Sequence, residues 1–195
     1  MRLTKIDVAK AYLISAVRLR FAGEHAASVY LLAASAREIL TTIGEKVGTR
    51  TILKEVSEDT GTPMKKLVEI VHEFAKFLKH ADSDPEAVLE NFEEQDADLV
   101  LFTACRDFHR VAKGMPVELQ VYEAWRWALA FERVRDAPLR TQPVVRRCIR
   151  RFPGIRRASP AERLRIGLEV LERALGDPRL RMTIQRDVIL PPRHV

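Results

Sequence analysis

A chain of 195 residues that is 47% hydrophobic and 31% charged has enough apolar mass for a packed core and enough charge to stay in water. Its longest apolar runs, such as VYLLAA at 29–34, fall far short of the roughly 20 residues that cross a bilayer, so no membrane contact is expected. The net charge of +6 is unevenly spread: residues 1–135 hold 19 basic and 21 acidic side chains, while residues 136–195 hold 14 basic and 6 acidic ones, and all 14 are Arg.

The opening residues, MRLTKIDVAKAYL, interleave charge and apolar groups at helical spacing and lack the apolar core of a signal peptide. Cys105 and Cys148 form no CxxC and no disulfide framework. A cytoplasmic protein is the simplest expectation.

Taken in chain order, residues 4–22 predict a first helix, with Thr4 and Asp7 as a capping box and Ile6, Ala9, Leu13, Ala16 and Val17 inward. Gly23 stops it. A second, Ala-rich helix runs over 25–47, with Val29, Leu32, Ala33, Ala36, Leu40 and Ile43 inward. A short helical segment follows at 50–57. Thr62 and Pro63 then open a helix to about His80, whose stripe is Leu67, Ile70, Val71, Phe74, Phe77, Leu78 and Ala81. A fourth long helix spans 96–113 with Leu101, Ala104, Cys105, Phe108 and Val111 inward. A fifth runs from Pro116 to about Arg133, with Val117, Val121, Trp125 and Leu129 inward.

Beyond Ala137 the pattern weakens, punctuated by Pro138, Pro143, Pro153 and Pro160. One helix is predicted there, near 160–175, capped by Ser159 and closed by Gly176. The expected fold is all-α: an up-and-down helical bundle over 1–135, then an Arg-rich helical extension over 136–195.

Two places carry candidate chemistry. His80 ends the fourth segment, EFAKFLKHADSDP, on the flank of its apolar stripe. A His there can act as acid or base near neutrality, or simply sit favourably at a helix C-terminus. The other place is VVRRCIRRFPGIRR. Arg146, Arg147, Arg150, Arg151, Arg156 and Arg157 are suited to phosphate contacts, with Phe152 available for stacking. Their alternative partners are the acidic runs of the bundle, such as EEQDAD at 93–98. Cys148 lies in RRCIRR, where flanking Arg residues favour the thiolate. His72 falls on the outer face of its helix. The spacing of the His residues gives no metal motif, and no Walker loop, GxGxxG or GxSxG is present, so neither metal nor cofactor is expected.

The segment EFAKFLKHAD, following the Ala-rich HAASVYLLAASAREIL, resembles an uncharacterised bacterial family of helical proteins whose architecture is similar to the HEPN superfamily. The resemblance covers roughly residues 3–135. It implies a homodimer. In active HEPN domains it would also imply a metal-independent ribonuclease, whose motif is an Arg, a polar residue and a His, with four to six residues between Arg and His. His80 matches the His, and Lys76 stands where Asn is common. The Arg would fall at Glu73, Phe74 or Ala75, and none of these is basic. Arg20 and His25 match the spacing literally, but at a turn between helices. The resemblance therefore implies a non-catalytic module that dimerises and binds a protein or nucleic-acid partner. The alternative is a metal-independent ribonuclease using His80 with Lys76. Tyr122, Trp125, Trp127 and Phe131, spread around the fifth helix, are a further reason to expect a dimer.

Overall fold

The computed structural model describes residues 2–79, 85–130 and 142–179. Among them the chain is all-α, with no strand. In chain order the helices are α1 (Lys5–Phe21), α2 (Ala26–Lys46), α3 (Ile52–Thr60), α4 (Met64–Lys79), α5 (Glu94–Ala112), α6 (Val117–Leu129), α7 (Gln142–Arg151) and α8 (Pro160–Gly176).

Several starts follow from local side-chain chemistry. At α1 the Thr4 amide donates to Asp7 Oδ2 at 2.9 Å, and the Asp7 amide donates back to Thr4 Oγ1 at 3.1 Å. At α8 the Ser159 amide donates to Glu162 Oε2 at 2.8 Å, and the Glu162 amide donates to Ser159 Oγ at 3.4 Å. These boxes satisfy amides that a helix start otherwise leaves without partners. They also hold the Asp7 and Glu162 carboxyls below the usual range, through the bonds from Thr4 and Ser159. At α2 the cap is His25, whose Nδ1 accepts from the Ala27 amide at 3.2 Å. Gly61, in the left-handed region at φ 69°, ends α3.

The chain divides into two compact units by its internal contacts. The first is Met1–Leu19 with Glu24–Lys113; the second is Arg20–Gly23 with Gly114–Val195. The change at residue 135 is one of composition; by contacts, α6 groups with the residues that follow it.

In the first unit α2 packs chiefly against α5, and α4 lies on α2 and α3. Val29, Ala33, Ala36 and Leu40 of α2 are buried, as are Leu101, Ala104, Cys105 and Phe108 of α5. The small residues on α2 permit a close approach. Tyr30, Phe74 and Phe92 form an edge-to-face trio with centroids 5.3–5.6 Å apart. Tyr30 Oη donates to the Val71 carbonyl at 2.6 Å, tying α2 to α4. The α4 stripe is shallower than its spacing predicts. Leu67, Val71, Phe74 and Leu78 are half-buried, Phe77 is 37% exposed, and Ala75 is buried.

In the second unit α6 packs against α7 and α8. Tyr122 and Trp125 stack at 5.8 Å, and Phe21 meets Trp125 edge-on at 5.5 Å. Tyr122 and Trp125 are buried and Trp127 is half-buried, while Phe131 lies outside the described residues. The two fully buried rings are taken up by their own unit's core, so they offer no surface to a second copy.

Candidate nucleic-acid interface

α7 is a helix the Pro-punctuated sequence conceals. Val145 and Cys148, with Phe152 just past the helix end, are buried at i, i+3 and i+7, which sets the inward face. Arg146, Arg147, Arg150 and Arg151 occupy positions off that face; Arg146, Arg147, Arg150 and Arg151 are the helix's outward charge, with Arg146, Arg147, Arg150 and Arg151 all exposed. The chain then turns sharply. The Ile155 amide donates to the Phe152 carbonyl at 3.2 Å and the Arg157 amide to the Gly154 carbonyl at 3.0 Å. Gly154 sits at φ 79°, a conformation that costs glycine little. The turn buries Phe152 and Ile155 and leaves Arg156 and Arg157 exposed. All six predicted arginines therefore face solvent on one segment of one unit.

Two expectations about this segment are corrected. Phe152 is 1% exposed, so it serves the core and offers no face for a base to stack on from solvent. Cys148 is 1% exposed, and burial pushes its thiol up to about 11 against the pull of Arg151. Desolvation outweighs the flanking guanidiniums, and the thiolate is disfavoured. Cys105 is fully buried and in no disulfide.

Beside the turn lies a cavity of about 500 Å³. Leu129, Ile149, Phe152 and Ile155 supply its apolar lining; Arg156, Arg157 and Arg163 supply its charge. Arg163 belongs to α8, and no motif in the sequence singles it out. Its carbonyl accepts a 2.9 Å hydrogen bond from Trp125 Nε1, and its own Nε is buried with no hydrogen-bond partner.

The first unit holds a second, smaller hollow of about 380 Å³, between α2 and α4. Lys76 is exposed and lines it, together with Glu69, His72, Glu73 and Lys79. His80 lies outside the described residues. Of the three positions where the HEPN Arg would fall, Glu73 is exposed, Phe74 half-buried and Ala75 buried. His72, expected on the outer face, is half-buried in this hollow. Burial and the nearby Arg37 charge hold its imidazole below the ordinary value. Arg20 is buried in the second unit, and His25 is spent on capping α2 in the first, so neither stands ready as an acid–base group.

Two buried charges in the first unit are absent from the expectations drawn from sequence. Arg37 is 2% exposed and its Nε has no hydrogen-bond partner. Asp107 is fully buried; its Oδ1 accepts the Ile52 amide at 2.7 Å and its Oδ2 has no partner. Arg37 is signalled by its place among Ala33, Ala36 and Leu40. Asp107 is signalled in the same way, by its place among Ala104, Phe108 and Val111.

Among the described residues no group of three His, Cys, Asp or Glu side chains is placed to hold a metal ion, and no helix is long and apolar enough to cross a membrane. Compared with known family models, curated proteins and solved structures, the chain matches none.

Proposed function

We propose that this chain is a non-catalytic binding module, a HEPN-like bundle that dimerises and holds nucleic acid through the arginine face of its second unit. The observation that carries the reading is the orientation of α7. Val145 and Cys148 are buried and its four arginines exposed, and the exposed Arg156 and Arg157 follow directly. Guanidiniums so arrayed suit a phosphate backbone, because each forms paired, charge-assisted hydrogen bonds with anionic oxygens. Such contacts fix position and carry no base code, so the binding is weak in sequence preference. The test is fluorescence anisotropy with labelled single-stranded RNA across a salt series. Affinity that falls with salt in the parent, and is weakened when Arg146, Arg147, Arg150 and Arg151 become Gln, supports the reading. Affinity unchanged by those substitutions removes it. Light scattering over a wide concentration range tests the dimer.

The hollow at Lys76 favours a second reading, a metal-independent ribonuclease of toxin or defence type using His80. Lys76 lines that hollow with His72 and three carboxylates, Glu38, Glu69 and Glu73, a set able to move protons. Against it stands Ala75, buried where the motif needs a cation. RNA cleavage in EDTA, abolished in His80→Ala, would establish this reading in place of the first.

A further inference from the structure

The exposed arginines of α7 account for contacts along a strand. They leave unexplained why Arg156, Arg157 and Arg163, from two separate elements, line one cavity with an apolar wall. A groove that only tracks a phosphodiester backbone has no need of a hollow lined by three arginines from two elements. Each backbone phosphate carries a single negative charge, whereas a phosphate monoester carries about −1.5 to −2 at neutral pH, and three terminal oxygens.

Arg163 is the second clue, because it reaches this cavity from α8 while Arg156 and Arg157 come from the turn after α7. The backbone of Arg163 is fixed by its hydrogen bond from Trp125, so the side chain is presented from a rigid base. Opposite in character are Ile149 and Leu129, both half-buried, which offer a flat apolar group a surface in the cavity, whereas Phe152 and Ile155 are only 1% exposed. The volume of about 500 Å³ lies in the range of small-ligand sites.

We propose that this cavity binds the terminal phosphate monoester of a nucleic-acid strand, with Arg156, Arg157 and Arg163 on the phosphate and the end nucleotide against the apolar wall. The proposal rests on the nucleic-acid reading above and makes it specific to strand ends. A free mononucleotide carries the same chemistry, so the test separates the two.

The experiment uses the full chain and short oligonucleotides of one sequence ending in a 5′-phosphate, a 3′-phosphate or hydroxyls only, with adenosine monophosphate and inorganic phosphate as competitors. One phosphorylated strand is expected to bind about tenfold more tightly than the hydroxyl strand, as charge-assisted contacts to a dianion require. That ratio should collapse in Arg163→Gln and in Arg157→Gln, with helix content by circular dichroism unchanged in at least one of them. Arg146→Gln together with Arg147→Gln should weaken all strands and preserve the ratio. Equal affinity for all three strands overturns the pocket and leaves the general nucleic-acid reading standing. Arg163-dependent binding of adenosine monophosphate with no strand bound overturns the strand-end assignment and the surface reading, and keeps a nucleotide site. Inorganic phosphate competing as well as adenosine monophosphate overturns the role of the apolar wall. Failure of strands and nucleotide alike overturns both proposals.

Discussion

The indole of Trp125 donates its Nε1–H to the backbone carbonyl of Arg163 across 2.9 Å, so one bond ties the aromatic core of the second unit to the charged wall of its cavity. Trp125 is 2% exposed and packs against Phe21 and Tyr122. Trp125→Phe keeps an aromatic ring but removes the hydrogen bond and some volume. We expect a drop of about 1–3 kcal/mol in stability, from a buried acceptor with one partner fewer and from the space left behind. Urea unfolding followed by circular dichroism measures it, and an unchanged midpoint would contradict this account of the core.

Gly167 supports the same core by having no side chain. A Cβ built there would meet the Phe21 ring, with Cδ1 at 2.6 Å and Cε1 closer still. In an exposed helix Gly→Ala is stabilising, because alanine has the higher helix propensity. Here the ring must shift, and Phe21 is itself buried. Gly167→Ala is therefore expected to destabilise by about 1–3 kcal/mol, the usual range for overpacking. A gain in melting temperature would mean that the ring moves aside freely.

Asp107 predicts a pH dependence. Burial pushes its carboxyl up to about 6 from an ordinary 3.8, against the pull of the Ile52 amide, Arg110 and Arg37. The folded state then holds this proton more tightly than the unfolded chain does. Its contribution is most favourable below pH 3.8 and disappears as pH rises through about 6. Asp107→Asn keeps an oxygen for the Ile52 amide and removes the charge. The variant should be more stable than the parent at pH 7 by about 1–2 kcal/mol and should not show the parent's decline as pH rises from about 4 to about 6. Urea titrations across that window decide it; parallel curves for the two proteins would refute the assignment.

His72 titrates in the opposite sense. Burial first, then the Arg37 charge, lowers its imidazole from 6.5, so the neutral form is favoured in the fold. Its contribution is present above pH 6.5 and disappears as pH falls through the lowered value. NMR titration of the ring protons should give a midpoint below that of a free histidine, and a midpoint above it would show that Glu38, not Arg37 and burial, dominates.

Salt dependence separates the six arginines from the rest of the protein's charge. Removing one arginine–phosphate pairing should reduce the slope of log affinity against log salt by about 0.7 for a single strand. Replacing the four arginines of α7 by Gln should thus flatten the slope visibly while leaving helix content intact, since those side chains are exposed. A slope that stays steep would place the binding surface elsewhere.

RNA incubated with the protein in EDTA should be recovered intact. Lys76 is exposed in its hollow, but Lys is a point charge without the planar fork that grips phosphate at two points. Gel analysis of labelled RNA checks this, with His80→Ala as the control for any cleavage seen.

The helices of this protein are largely written in local pattern. Thr4 with Asp7 caps as the spacing predicts, because a capping box needs only residues three apart, and Ser159 caps as predicted, with Glu162 as the partner that the structure adds. Apolar residues at helical intervals likewise place Val29, Ala33, Leu40, Leu101 and Phe108 inside. α7 is hidden because two prolines and a run of arginines obscure a three-residue apolar stripe that acquires meaning only against α6. The burial of Arg37, Asp107 and Phe152, and of Cys148 despite its Arg neighbours, is decided by which helices cover them. So is the placing of Arg163 beside the cavity that Arg156 and Arg157 also line. Such positions depend on packing between residues distant in sequence, and a dielectric environment made by packing cannot be read from the order of side chains along one helix.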